Sequence, residues 1–435
     1  MKLEFWFDFS CPYAYLASRQ AATWAAAGVE IDWRPMLLGG VFRGIASGPD
    51  GNGPMAALGP AKARHNLLDM HRWAEVLEAP FQMPVAHPMR TVRALRVLLT
   101  LPHREWPRAI AALYAAYWDR AQDVAQDTVI EAALTGAGID IGDAFARADS
   151  DAIKEDLRAR TDEAIALGIF GAPAWVVRRA QPPHTLVWGQ DRRPWVEAML
   201  AGWDPDRDAG PPGGHRSAGD TFSPAPSSST LDVYFDVSSP FGYLALTQLP
   251  SIATATGITP RLIPILLRGL FKDIGQVTAP LLAMPASKQR YFYMETARWA
   301  RWWGAPFNFP TKFPQRSIMA QRLSVIAAAE RPFADQCRLA ISLGRGMWAE
   351  QRDLEDPETL RAILVAEGFP TDWIERTNEP AIKAALIANS ATAKDASAFG
   401  VPTLVVNQRL LFWGQDRFDL VGRALAGWIP RTDVP

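Results

Sequence analysis

The chain has 435 residues, 49% of them hydrophobic and 21% charged, which is typical of folded globular domains and excludes a disordered chain. This length is too great for one ordinary core and predicts two or three domains. The formal net charge of −1, with neither basic blocks nor basic amphipathic helices, gives no reason to expect a nucleic acid or an anionic membrane as partner.

Cysteine and histidine usage narrows the class of protein further. The two cysteines, Cys11 and Cys337, fall in different halves and cannot build a disulfide framework, which suits a reducing compartment. No charged and apolar leader precedes the first predicted strand, and no apolar run reaches the roughly 18 residues of a membrane span. The six histidines show no metal-ligand spacing. We therefore expect a cytoplasmic protein without a metal site.

The first predicted elements are a strand that runs into a helix, and both occur again 228 positions later. Period-two apolar alternation indicates the strands, at Leu3, Phe5, Phe7 and Phe9 and at Val233, Phe235 and Val237. Pro12 and Pro240 suit the first position of the following helix. Cys11 and Ser239 then lie at helix N-termini, where free amides and the helix dipole favour a thiolate and lower its pKa. The alternative is that both residues are only helix caps.

Internal repetition continues along the chain and decides the predicted architecture. Proline, glycine and serine dominate residues 204–230, which is linker composition. Each copy has a mostly helical middle, with helices indicated at 107–118 and 328–348, and ends in a strand hairpin and a last helix. This order predicts an α/β protein with two tandem thioredoxin-like domains, 1–203 and 231–435. Each carries an all-helical insertion, at about 38–167 and 267–398.

A Phe-Gly-x-Pro turn precedes the hairpin in both copies and ends in Ala172-Pro173 and Val401-Pro402. A proline at the start of a strand indicates a special turn, and we expect a cis peptide bond there. Such a turn leaves the backbone groups of Ala172 and Val401 available for a peptide-like ligand. Most turns of this kind are structural, but this one recurs at matching depth.

The pentapeptide Trp-Gly-Gln-Asp-Arg occurs in both copies before the last helix. It places an acid and free amides at a helix start, where the carboxylate can hold an ammonium group and the amides a carboxylate. That combination suits the α-amino acid end of a ligand such as glutathione, although an ordinary capped turn is the alternative. The residues concerned are Gln190, Asp191 and Arg192, and Gln415, Asp416 and Arg417.

Together these motifs resemble the 2-hydroxychromene-2-carboxylate isomerases and kappa-class glutathione transferases, over nearly the whole chain apart from the linker. The resemblance implies that Ser239, and by position Cys11, contacts the glutathione sulfur. It implies that Ala172 and Val401, each followed by the proline of its turn, pair with the cysteinyl backbone, and that the two Gln-Asp-Arg turns hold the γ-glutamyl end. It also points to Asn52 and Lys62 as glutathione contacts, whereas Thr278 replaces the asparagine in the second copy.

The expected function is therefore that of a glutathione-dependent isomerase or transferase acting on a small aromatic conjugated 2-oxo acid, by reversible thiolate addition. Cationic candidates for the substrate carboxylate are Arg43, Lys62, Lys272 and Lys288. One alternative is a monothiol, glutathione-dependent thiol-disulfide oxidoreductase that uses Cys11, since Ala14 excludes a Cys-x-x-Cys pair. Another is a partly non-catalytic glutathione-binding module. The resemblance further implies an intrachain pseudo-dimer, with higher oligomers left open.

Overall fold

The computed structural model describes residues 2–47, 53, 58–178 and 184–433. Two compact units are present. The first comprises the described residues up to Leu58, together with Asn66–Gly202 and Met284–Lys288, and the second comprises Gly59–His65, Trp203–Ala283 and the chain from Gln289 onward. No helix in the described ranges combines the length and the apolar character that crossing a bilayer requires.

The first repeat forms a four-stranded mixed sheet in the order β2-β1-β3-β4. Strand β1 is parallel to β2 and antiparallel to β3, which is antiparallel to β4. The strands are β1 (Lys2–Phe7), β2 (Glu30–Pro35), β3 (Ala174–Arg178) and β4 (His184–Trp188). The helices are α1 (Pro12–Ala26), α2 (Leu38–Gly44), α3 (Pro60–Val76), α4 (Val92–Thr100), α5 (Trp106–Tyr114), α6 (Asp127–Gly136), α7 (Ala144–Ala148), α8 (Asp151–Ala166) and α9 (Arg193–Leu200).

The second repeat has the same topology, with strand order β6-β5-β7-β8. The strands are β5 (Leu231–Phe235), β6 (Arg261–Pro264), β7 (Thr403–Val406) and β8 (Leu410–Trp413). The helices are α10 (Pro240–Thr256), α11 (Leu267–Asp273), α12 (Ala286–Trp303), α13 (Ile318–Glu330), α14 (Phe333–Trp348), α15 (Pro357–Ala366), α16 (Trp373–Arg376), α17 (Pro380–Asp395) and α18 (Phe418–Leu425). The predicted fold class, two tandem α/β thioredoxin-like domains, is confirmed.

Two predicted helices differ from the observed ones in detail. The stretch 328–348 is not continuous, because α13 ends at Glu330 and Pro332 caps a new helix that starts at Phe333. In the first repeat, α5 ends at Tyr114 and passes into a wider π-helical turn over Ala115–Asp119.

The predicted linker is ordered where it meets the second unit. Asp206 accepts two hydrogen bonds of 2.7 Å from the guanidinium of Arg298, whose side chain is only 1% exposed. The Arg216 amide donates to the Trp302 carbonyl oxygen, and a short 3-10 turn at Ala218–Thr221 follows. Residues 204–230 therefore contribute structure to the second unit as well as connecting the repeats.

Sheet topology brings the two ends of each repeat together. Trp6, near the end of β1, pairs with Ala174, the first residue of β3. Tyr234 of β5 pairs in the same way with Thr403 of β7. The loop after the first strand of a repeat therefore meets the proline turn before its third strand, about 160 residues later in the chain.

Candidate functional site

Cys11 is the N-cap of α1, with extended backbone angles, and its side chain is 7% exposed. Its thiol donates to the carbonyl oxygen of Ala172, with Sγ and O 3.1 Å apart. Burial raises the pKa of the Cys11 thiol to about 12, although the amides of Ala14 and Tyr13 act in the opposite direction. The expectation that the helix start lowers the pKa of Cys11 is therefore wrong for this buried thiol, because desolvation outweighs the effect of the helix N-terminus.

Ser239 occupies the same position at the start of α10 and is equally buried. Its Oγ accepts a hydrogen bond from the Gly242 amide at 3.2 Å and donates to the Val401 carbonyl oxygen at 3.4 Å. The second of these bonds is long, so it costs little to redirect the hydroxyl proton toward another acceptor. The Gly242 amide polarises the hydroxyl, so the rotatable O–H can donate to an external anion at the helix start.

Both proline turns contain the predicted cis peptide bond, between Ala172 and Pro173 and between Val401 and Pro402. Within the described part of the chain, the amide of Val401 has no hydrogen-bond partner. Val401 is the residue before the proline, and its carbonyl oxygen accepts from the Ser239 hydroxyl. A free amide at this place can pair with a peptide-like ligand, as the sequence suggests.

The Trp-Gly-Gln-Asp-Arg turns join the same cluster through the backbone. Gly414 donates to the Pro402 carbonyl oxygen at 3.0 Å, and Gly189 donates to that of Pro173 at 3.1 Å. The structure thus brings together three parts of each repeat: the helix start, the proline turn and the Trp-Gly-Gln-Asp-Arg turn, called the acidic turn below. These three motifs were assigned from sequence as one site.

Glycine is required in the acidic turns for two reasons. Gly189 and Gly414 have φ values of 111° and 106°, which favour glycine, and a Cβ at either position would collide with the carboxylate two residues later. The carboxylates of Asp191 and Asp416 each lie near the guanidinium of the following arginine, at 2.9 and 3.3 Å respectively. The second pair is the looser and more exposed of the two.

Sequence reasoning missed the importance of two buried acids, Asp8 and Asp236, which are each 1% exposed. The Asp8 carboxylate accepts hydrogen bonds from the Ser10 amide at 2.9 Å, the Leu38 amide at 2.7 Å and the Thr91 hydroxyl at 2.6 Å. It ties the loop bearing Cys11 to the starts of α2 and α4. Burial raises the pKa of Asp8, and the hydrogen bonds only partly offset it.

Asp236 does the same in the second repeat, with amides of Ser238 and Leu267 at 2.9 Å and a hydrogen bond from the Ser317 side chain. Burial is again the main reason that its pKa is raised. The sequence signal that could have revealed these buried acids is the presence of an aspartate at matching positions of both copies. Its distant partners lie 30 to 83 residues away and carry no local pattern.

The helix over each site differs between the repeats. Trp118 and Trp348 hold equivalent places, since each indole donates at 2.8 Å to a carbonyl of the loop after the first strand, Phe9 and Val237 respectively. Four residues earlier the first repeat has Tyr114, whose hydroxyl donates to the Asp8 carbonyl oxygen. The second repeat has a glycine there.

That glycine, Gly344, lies against the ring of Tyr243, which occupies the space a side chain would need. Tyr243 in turn donates from its hydroxyl to the Pro306 carbonyl oxygen at 2.9 Å. The surroundings of Cys11 and Ser239 are therefore built differently, although the surrounding backbone topology is shared.

The predicted cationic contacts are placed as follows. Lys62 belongs to the second unit, where its Nζ lies 5.1 Å from the ring centroid of Trp413. Lys288 belongs to the first unit, 5.7 Å from the ring centroid of Trp188. Lys62 therefore clusters with Trp413 at the Trp-Gly-Gln-Asp-Arg turn of the second repeat, and its role as a glutathione contact stays a prediction. Asn52 lies outside the described residues.

The fold and these motifs together define a thioredoxin-like α/β protein that carries two copies of one site. The chain belongs to the DSBA-like thioredoxin domain family, whose model matches residues 2–201 and 230–426. The predicted resemblance to isomerases and kappa-class transferases is confirmed by the relatives that the chain matches.

A glutathione S-transferase kappa 1 from Caenorhabditis elegans is 25% identical over 47% of this chain and 93% of its own length. A 2-hydroxychromene-2-carboxylate isomerase from Sphingobium xenophagum is 27% identical over 44% of this chain and 95% of its own. A solved 2-hydroxychromene-2-carboxylate isomerase matches 45% of this chain and 94% of its own with 26% identity and a TM-score of 0.40. Each of these proteins corresponds to about one repeat.

Proposed function

We propose that the chain is a glutathione-dependent isomerase or transferase that acts on an aromatic conjugated 2-oxo acid, with Ser239 in the catalytic position. Relatives that are named as isomerases and glutathione transferases support this class of activity. The observation that carries the proposal is the arrangement around Ser239. Its hydroxyl accepts from the Gly242 amide and donates to the carbonyl oxygen of Val401, whose own amide has no hydrogen-bond partner among the described residues.

The residues present fit glutathione. The Val401 amide and carbonyl would pair with the cysteinyl backbone, and the Asp416 turn would hold the γ-glutamyl end. When bound, glutathione would supply a thiolate that adds reversibly to the substrate enone, so that the former double bond can rotate before the thiolate leaves.

The side chains have separate tasks in this scheme. The Ser239 hydroxyl would turn its proton from the Val401 carbonyl to the sulfur and stabilise the anionic form beside the start of α10. Lys62, close to Trp413, is the cation that would meet a carboxylate in the second unit. Asp236 would keep the loop bearing Ser239 in position.

The buried Cys11 weighs against the alternative of a monothiol oxidoreductase. Such an enzyme needs a thiolate as nucleophile, whereas the Cys11 thiol keeps its proton and donates a hydrogen bond to the Ala172 carbonyl oxygen. We therefore place the catalytic role in the second repeat and expect the first to bind glutathione without contributing its own sulfur.

The test combines glutathione calorimetry with an isomerisation assay on 2-hydroxychromene-2-carboxylate. We expect Asp416→Ala to weaken glutathione binding and Ser239→Ala to retain binding while kcat falls by about 100-fold. Ser227→Ala, which alters an exposed serine, is the matched control and should behave as the parent. A parent protein that binds no glutathione, or a turnover that is the same without it, would refute the proposal.

A further inference from the structure

A second cleft, of about 600 Å³, lies on the second repeat between the edge strand β6 and helices α13, α14 and α17. Its volume falls within the range of about 300 to 1,000 Å³ that is usual for small-molecule sites. None of its lining residues belongs to the Ser239 site. The first repeat provides an internal comparison that explains how this cleft arises.

In the first repeat, large charged side chains fill the equivalent place. Trp6 pairs across the strands with Arg34, whose guanidinium lies 4.7 Å from the indole centroid and forms an ion pair with Glu163. In the second repeat, the corresponding strand pair is Tyr234 and Ile263. The guanidinium that covers the first sheet at this point is therefore missing from the second.

The helix that faces this strand pair also carries smaller side chains in the second repeat than in the first. Helices α8 and α17 correspond because Thr161 and Ser390 each accept a 3.0 Å hydrogen bond from the amide of an equivalent leucine at the start of the insertion. Two residues later in each helix, Thr392 stands where the first repeat has Glu163. One residue earlier, Asn389 stands where the first repeat has Arg160.

A third replacement lies on the neighbouring helices. Trp106 donates to the Leu101 carbonyl oxygen at 3.0 Å, and Gln336 donates in the same i to i−5 manner to that of Arg331 at 2.8 Å. Gln336 thus takes the place of Trp106, on whose ring Arg160 lies in the first repeat. Loss of an indole and of two guanidinium groups opens the cleft.

The charge of the cleft is positive. Arg331, at the place of Leu101, lies 5.5 Å over the ring of Trp373 and forms no ion pair with any described residue. No aspartate or glutamate is among the described residues that line the cleft. The other lining arginine, Arg261, is neutralised by Asp232 through bonds of 2.8 and 2.5 Å. Glu330 interacts electrostatically with Arg331 but forms its ion pair with Arg376. The cleft therefore keeps a positive charge with no acid among its described lining residues.

We propose that this cleft binds a small organic carboxylate. The anionic end would pair with the guanidinium of Arg331. The Asn389 side-chain amide, which gives one hydrogen to the Pro264 carbonyl oxygen, would donate its second one. Ile263 and Phe333 supply an apolar wall for the body of the molecule. This site is separate from the proposed glutathione site and does not depend on it.

The probe is benzoate, titrated by calorimetry into the full-length chain, with benzamide as a neutral molecule of the same shape. We expect benzoate to bind and benzamide to bind at least tenfold more weakly, as loss of a charge-assisted hydrogen bond predicts. Inorganic phosphate should compete poorly, because it makes no use of the apolar wall.

Two variants test the location independently. Arg331→Leu restores the residue of the first repeat, and the double variant Ile263→Arg/Thr392→Glu rebuilds its ion pair inside the cleft. Both should weaken benzoate binding at least tenfold, whereas Arg423→Leu, at an exposed site on α18, should not. Circular dichroism and Tm establish that each variant is folded. Absence of benzoate binding in the parent, equal binding of benzamide, or unchanged affinity in Arg331→Leu would overturn the proposal.

Discussion

The reactivity of Cys11 is the sharpest test of how this site is built. With a pKa of about 12, about 3 in 100,000 of the thiol groups are ionised at pH 7.5, against about 1 in 10 for an ordinary cysteine of pKa about 8.5. The thiolate fraction is thus about 3,000-fold lower. A more basic thiolate is intrinsically more nucleophilic, by about 40-fold for this difference. The net expectation is alkylation about 100-fold slower than that of glutathione.

The assay uses iodoacetamide on Cys337→Ser, so that Cys11 is the only thiol. The rate should rise steadily with pH through pH 10 without a plateau, and unfolding in guanidinium should restore ordinary reactivity. Cys11→Ser is the matched control for the second buried thiol. A plateau below pH 9, or a rate equal to that of glutathione, would refute our reasoning that burial outweighs the helix N-terminus.

Three further perturbations probe the scaffold. Gly414→Ala should cost about 1–3 kcal/mol in urea unfolding and weaken glutathione binding, whereas Gly427→Ala, at a similar φ of 102° with open space around it, should leave glutathione binding intact. Asp206→Ala should cost about 3 kcal/mol because it strands the buried Arg298, and a loss below 1 kcal/mol in the same measurement would contradict this. Burial raises the pKa of Asp236 in the folded state above its ordinary value of 3.8. The stability that this group contributes is therefore fully present below pH 3.8 and is lost as the pH rises through the pKa of the folded state. Asp236→Asn should flatten the dependence of Tm on pH in that window, and identical profiles would argue against the role.

Local signals made much of the fold predictable. Patterns a few residues long, each present twice, predicted the first strand and the first helix of each repeat. Such patterns also predicted the cis peptide bonds before Pro173 and Pro402. The same patterns placed Ser239 at a helix N-terminus, where the structure has it. Repetition was the decisive help, because a short motif that survives in both copies is rarely a coincidence of composition.

Features that depend on distant parts of the chain were not predictable. The pKa of Cys11 is set by burial under elements more than 100 residues away, and this outweighs the local effect of the helix start. The clustering of Lys62 with Trp413 joins residues about 350 positions apart, for which spacing within one repeat gives no clue. The break before Phe333, in contrast, had a local signal in Pro332 that the alanine-rich pattern obscured.

Tyr114 and Gly344 show how far the two halves have diverged in a coordinated way. A bulky side chain introduced at Gly344 would strike the ring of Tyr243, so the first repeat's tyrosine cannot be moved there alone. Chimaeras that exchange single amino acids between the halves should consequently misfold or lose activity at such points. Directed evolution of either candidate site will have to recombine whole blocks of neighbouring side chains.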